Sequence, residues 1–183
     1  LRKKQYRISD NEEESAKIAR NFIIGKIYNN KWIVERMTRD YPMRIDVEKF
    51  KNVSRHLSSI MKDIRSCTDL DTLRGLEGQA ATSYYQLIDQ MILQQKEEFY
   101  FKSRTRRPPL DNVNAMLSFG YTLLANEMAA ALESVGLDAY VGFLHRDRPG
   151  RVSLALDLME ELRAVFVDRF VLSLINTRVI NKS

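Results

Sequence analysis

In the stretch VEKFKNVSRHLSSIMKDIRS, Phe50, Val53, Leu57, Ile60 and Ile64 recur at intervals of three and four residues. Side chains return to one face of an α-helix at that period, so these five form a single apolar stripe. The pattern recurs along the chain and leaves little room for another class of fold. A helix is expected from about residue 11 to 38: Ser9 and Asp10 precede it, acidic residues crowd its first turn, and it stops before Pro42. The stripe itself predicts a second helix over 47–65. A third runs from a cap at Asp69 or Asp71 to about Gln95. The segment KEEFYFKSRTRRPPLD breaks the period and holds Pro108 and Pro109, so it reads as a loop. Asp111 caps a fourth helix that stops at Gly136. Ala139 to Leu144 reads as a short extended segment, and Arg151 or Ser153 opens a last helix to about Thr177. The expected fold is all-α: one domain of about five long helices with a basic loop.

Composition agrees. Only 7 glycines and 4 prolines occur in 183 residues, which disfavours sandwiches and barrels, and the length suits a single domain with a real core. A net charge of +5 fits a nucleic acid or another acidic partner without singling one out. The one cysteine, Cys67, excludes an internal disulfide framework and a cysteine-based zinc site. The longest apolar stretch, Met116 to Leu132, is interrupted by Asn126 and Glu127, so no membrane span is expected. The chain opens on LRKKQYRISD with no methionine, which reads as the interior of a longer protein.

Four constellations could carry chemistry. On the last helix, Leu154, Leu158, Met159, Leu162, Val165 and Phe166 define an apolar arc, and Asp157 and Glu160 fall on the opposite side. That side reads either as a solvated acidic face or as part of a site, with His145 just upstream. Carboxylates with an imidazole suit Mg²⁺ or Mn²⁺, and Mn²⁺ accepts nitrogen more readily. His56 lies off its helix's stripe and is assigned no role. In LRGLEGQAATSYY, Gly75, Gly78 and Ala81 make a small-residue stripe around Glu77, open either to tight helix packing or to a ligand. Lys102, Arg104, Arg106 and Arg107 cluster beside Phe99, Tyr100 and Phe101, as a solvated loop or as a surface for phosphates and unpaired bases. Arg146, Arg148 and Arg151 form a second basic group after His145. On the fourth helix, Asn114 can help cap the first turn and Tyr121 can belong to the core.

TLRGLEGQAATSYY, RRPPLDNVNAMLSFGYTLL and GFLHRDRPGRVSLALDLMEELR occur in that order, with GKIYNN in the first helix. Together they resemble the catalytic helical domain of the CRISPR-associated adaptation endonuclease and integrase, the Cas-one family, over nearly the whole chain. The resemblance implies a divalent-metal site of Glu77, His145 and Glu160, where some relatives carry aspartate at the last position. Asp157 would assist by a water or by charge. It implies DNA contacts at Arg148 and Tyr121, and more weakly at the loop Lys102, Arg104, Arg106 and Arg107. The implied activity inserts short DNA fragments into the CRISPR array by 3′-hydroxyl attack on a phosphodiester, with Mg²⁺ or Mn²⁺ as cofactor. Implied partners are protospacer and repeat DNA, a second copy of the chain, and the small adaptation protein Cas-two, in the prokaryotic cytoplasm. The family's N-terminal β-rich domain has no counterpart here, so residues 1–183 read as the helical domain alone. A non-catalytic helical nucleic-acid-binding module is the alternative; a protein-binding scaffold is a further one.

Overall fold

The computed structural model describes residues 1–145 and 148–181, and these contain helices and no strand. Helix α1 spans Arg2–Ser9, α2 Glu12–Asp40, α3 Val47–Ser66, α4 Leu70–Tyr85, α5 Ile88–Met91 and α6 Asn112–Ser134. The last helix is α7 (Ser153–Leu162), which continues through a π-helical segment (Arg163–Asp168) into α8 (Arg169–Asn176). No helix of the described residues is long and apolar enough to cross a membrane.

Side-chain caps set most of the starts. Asn11, Asp46, Asp69 and Asp111 each accept a hydrogen bond from the backbone N–H three residues on. Asn11 is therefore the cap of α2; Ser9 closes α1 and Asp10 caps its end. The opening basic segment is itself helical, with Gln5 buried among the backbone groups of Asp138 and Val141. Gly136, at φ +78°, ends the α6 region in a conformation that a side chain would strain.

α2 lies at the centre and packs on α3, α4 and α7, with α6 completing the cover of α7. All five stripe residues of α3 are buried against it. The third helix stops at Tyr85, ten residues before the expected end. The helix ends in a turn at Gln86 and Leu87 that leads into the short helix α5, and Leu87, Ile88, Met91 and Ile92 are all buried. The chain leaves the helix and is held by Asn176, whose side chain accepts from Leu93 N–H and donates to Met91 C=O. Residues 139–144 form no strand; the Phe143 and Leu144 N–H groups go to a carboxylate described below, and the Ala139 and Val141 carbonyls accept from Leu154 N–H and the Gln5 side chain.

This core assignment is checked by chemical denaturation. Leu57→Ala is expected to cost about 2–5 kcal/mol, whereas Met43→Ala, at a residue 94% exposed, is expected to stay within about 0.5 kcal/mol.

Candidate metal centre

The apolar stripe of α2 contains Ala16, Ala19, Ile23 and Ile27, all fully buried, and on the same face a lysine, Lys26. Its ammonium contacts Glu77 Oε1 of α4 and lies 2.5 Å from Glu160 Oε2 of α7. The two glutamates are far apart in sequence and are gathered around one cation. Glu160 is held from the other side by Arg163, whose Nη1 donates to Oε1 at 2.8 Å. Oε2 of Glu160 is buried and faces the Lys26 ammonium.

Burial raises the Glu160 carboxyl, but Lys26 and Arg163 outweigh that and hold its pKa at about 2. Burial lowers Lys26, and Glu160 and Glu77 more than offset it, so the lysine stays charged. Of the two readings of this side of the helix, the solvated acidic face does not hold: Asp157 is fully buried and Glu160 is 5% exposed, because α7 is covered by α2, α6 and the 138–145 segment. Phe166, assigned to the apolar arc, points to solvent instead.

Asp157 explains the irregular segment before it. Its Oδ2 accepts from Phe143 N–H at 2.6 Å and Leu144 N–H at 2.9 Å, and its Oδ1 accepts from His145 N–H at 3.0 Å. The same Oδ1 takes the His145 ring Nδ1 at 2.6 Å. A carboxylate that accepts Nδ1–H fixes the imidazole's tautomer and leaves Nε2 as the basic nitrogen. Gly142 makes this possible: a Cβ there would sit 2.9 Å from Asp157 Oδ2 and 2.9 Å from Ser153 Cβ.

Glu77, His145 and Glu160 line one cleft of about 340 Å³, with Arg74, Arg148 and Arg151 on its rim. Arg74 donates twice to Leu144 C=O and braces the histidine segment. Arg146 lies outside the described residues. Among the described residues no three His, Cys, Asp or Glu side chains are already gathered as a metal cage; a lysine stands between the glutamates instead. The donor set still fits a hard divalent ion. It offers a buried carboxylate oxygen now facing the Lys26 ammonium, a second carboxylate and an imidazole nitrogen.

Gly75 and Gly78 face open space, with nothing within 4 Å of an added Cβ, so among the described residues no helix packs against them. Further along α4, Ala81, Thr82 and Tyr85 line a second cleft, of about 450 Å³, with Lys102, Ser103, Arg104 and Arg106 across it.

The loop's residues divide. Lys102, Arg106 and Arg107 are exposed. Arg104 is half-buried and donates to Asn114 Oδ1 at 2.7 Å and to Ser118 Oγ at 3.0 Å. Phe99 and Phe101 belong to the core, and only Tyr100 of the three aromatics is exposed. Tyr121 is 5% exposed, with Arg163 and Arg104 lying over its ring at 4.4 and 5.3 Å. Its hydroxyl donates to Asp168, so the tyrosine is a core residue and offers no surface to DNA. Burial raises the Asp168 carboxyl, with the tyrosine's hydrogen bond opposing. Asn114 is fully buried and ties the loop to α6, receiving Thr105 N–H and donating to Ser103 C=O. Lys26, Arg163 and Asp168 escaped the sequence reading. For Lys26 the signal was available: a lysine three residues after Ile23 and one before Ile27, on a helix's buried face.

The fold and cleft define a class: a helical domain whose buried carboxylates and carboxylate-braced histidine meet under a rim of arginines. The chain belongs to the family described as CRISPR associated protein Cas1, whose family model matches residues 1–183. It is 49% identical over 176 residues to CRISPR-associated endonuclease Cas1 1 of Chlorobaculum tepidum, covering 96% of this chain and 51% of that protein. It is 41% identical over 183 residues to CRISPR-associated endonuclease Cas1 of Leptospira interrogans, covering all of this chain and 72% of that one. The chain thus spans about half the length of several of the curated relatives it matches. Among solved structures, a Cas1 protein from Thermotoga maritima is similar at a TM-score of 0.81 and 30% identity, over 99% of this chain and 54% of that chain. A casposase bound to its integration product is similar at a TM-score of 0.81 and 30% identity, over 97% and 47%.

The Glu160 environment has a pH consequence. With a folded pKa of about 2 against 4.5 unfolded, its contribution is complete above pH 4.5 and is lost as pH falls towards 2. Acid titration of stability is expected to be flatter in Glu160→Gln over that window, by on the order of 3 kcal/mol.

Proposed function

We propose that this domain is the catalytic part of a CRISPR-adaptation integrase and nuclease, using Mg²⁺ or Mn²⁺ held by Glu77, His145 and Glu160. The observation that carries this is the convergence of those three side chains, from α4, the 139–145 segment and α7, on one arginine-rimmed cleft. Family membership and the likeness to a casposase bound to an integration product support it. The substrates would be a short DNA fragment and the repeat boundary of a CRISPR array. Similarity to a partial Cas6-RT-Cas1–Cas2 complex, at a TM-score of 0.84 and 28% identity, supports Cas2 as a partner. A second copy of the chain and a β-rich domain outside these residues complete the proposed assembly.

When bound, the metal ion supplies charge stabilisation at the phosphate and favours an ionised attacking hydroxyl. The remaining work belongs to side chains of this chain. Arg74, Arg148 and Arg151 neutralise the phosphodiester entering the cleft. Asp157 keeps Nδ1 of His145 protonated and presents Nε2, so the imidazole meets a cation as a neutral ligand. Arg163 fixes the Glu160 carboxylate from inside the bundle, and Tyr121 stacks beneath that guanidinium. The open face of Gly75 and Gly78 lets a sugar–phosphate backbone approach Glu77 closely. Lys102, Arg106 and Arg107 extend the positive surface along α4, while Arg104 anchors their loop.

Strand joining and cleavage of branched DNA are expected to require Mn²⁺ or Mg²⁺ and to be lost in His145→Ala with the fold retained by circular dichroism. Full activity in that variant overturns the site. Asp157→Asn is expected to weaken Mn²⁺ binding by about 10–100-fold in calorimetric titration. In DNA binding measured against salt, replacing Lys102, Arg106 and Arg107 by alanine is expected to flatten the log–log slope by up to roughly 0.9 for each phosphate that is no longer neutralised. Arg104→Ala is expected to lower the melting temperature instead.

A further inference from the structure

Most lysines in ion pairs here sit on exposed or half-exposed helix faces: Lys17, Lys31 and Lys51 have side chains 47%, 26% and 55% exposed. Lys26 differs. Its side chain is 7% exposed and rises from the buried face of α2, where an aliphatic residue would continue the stripe. Moving an ammonium into such a place costs several kcal/mol unless it is well paired. Its charged partners are Glu77 and Glu160, the two carboxylates proposed above as metal ligands.

An ammonium and a divalent cation cannot both take the same carboxylate oxygens. Mg²⁺ requires them at about 2.0–2.1 Å, and the two cations repel at that separation. The glutamates are not equally free to change partners. Glu160 is 6% exposed at its side chain and pinned by Arg163. Glu77 is 26% exposed and stands beside the open Gly75–Gly78 surface of α4.

We infer that Lys26 is a tethered cation that holds the divalent-ion position when metal is away and gives up both Glu77 Oε1 and Glu160 Oε2 when metal enters. The inference rests on the metal-site reading above. It gives the lysine-bridged pair a purpose: without Lys26 two adjacent carboxylates would repel and the cleft would not stay assembled between binding events. It also sets metal affinity below what the ligands alone would give, because each binding event displaces an internal ion pair. The bound metal is therefore exchangeable, with occupancy following its concentration.

The test compares wild type, Lys26→Gln, Lys26→Met and His145→Ala in Mn²⁺ titration calorimetry and thermal melting. The lysine variants are expected to melt lower without metal, to bind Mn²⁺ on the order of tenfold more tightly, and to gain more melting temperature from it. Folded lysine variants that bind Mn²⁺ equally or more weakly overturn the inference. Should neither variant fold, the wild-type chain decides through the ¹⁵N resonance of the Lys26 ammonium during Mg²⁺ titration. A shift that saturates with binding supports displacement, and an unmoved resonance at saturation overturns it. Failure of wild type to bind Mn²⁺ overturns the metal site and the inference together. Binding that is lost in His145→Ala yet unaffected by the lysine variants keeps the site and overturns only the role of Lys26.

Discussion

Glu77 and Glu160 come from different helices and meet at one buried lysine, and the arrangement of the domain follows from that meeting. Buried charges are tolerable only when paired, so α2 must present Lys26 at the level where α4 and α7 present their glutamates. α2 consequently runs through the middle of the bundle rather than along its surface, and it packs on α3, α4 and α7. The second requirement is Arg163, which neutralises the far side of Glu160 and in turn rests against Tyr121. Tyr121 also receives Arg104 from the basic loop. A chain of contacts therefore connects the surface that faces solvent at Lys102 and Arg106 with the carboxylate at the bottom of the cleft.

His145 reaches the cleft by a different device. Residues 139–145 have no sheet or helix to satisfy their backbone, and Asp157 accepts three consecutive N–H groups and the imidazole together. One side chain thus fixes both the path of the chain and the tautomer of the ring. Gly142 is needed there for room rather than for an unusual backbone angle.

The helices were legible wherever a single buried stripe ran unbroken, as in α3 with its five apolar residues. Legibility failed at a break within a continuing pattern and where more than one face is buried. The run from Leu87 to Ile92 keeps a helical spacing across the turn that ends α4, so α4 was expected to run too far. On α7 a helical wheel assigns Asp157 and Glu160 to solvent, because it assumes one buried face, whereas neighbours cover both sides. Glu77, His145 and Glu160 came from the resemblance rather than from periodicity, and they do line one cleft. Tyr121 and Arg104 show the converse: the resemblance implied DNA contacts, whereas Tyr121 is a buried support and Arg104 a half-buried anchor of its loop. Lys26 was visible as a charge on an apolar stripe, but its partners lie 51 and 134 residues away and no local pattern joins them.

The π-helical turn at Arg163–Asp168 carries one more consequence. Such a turn accommodates an additional residue within an otherwise continuous helix, so everything after it is rotated relative to everything before it. Glu160 lies on the early side, paired with Arg163, and Asp168 at the late end, paired with Tyr121. Deleting a single residue here would still leave a plausible amphipathic helix to any pattern-based reading. It would nonetheless put the two halves of the network out of phase, so the stretch should tolerate substitution far better than any change in its length.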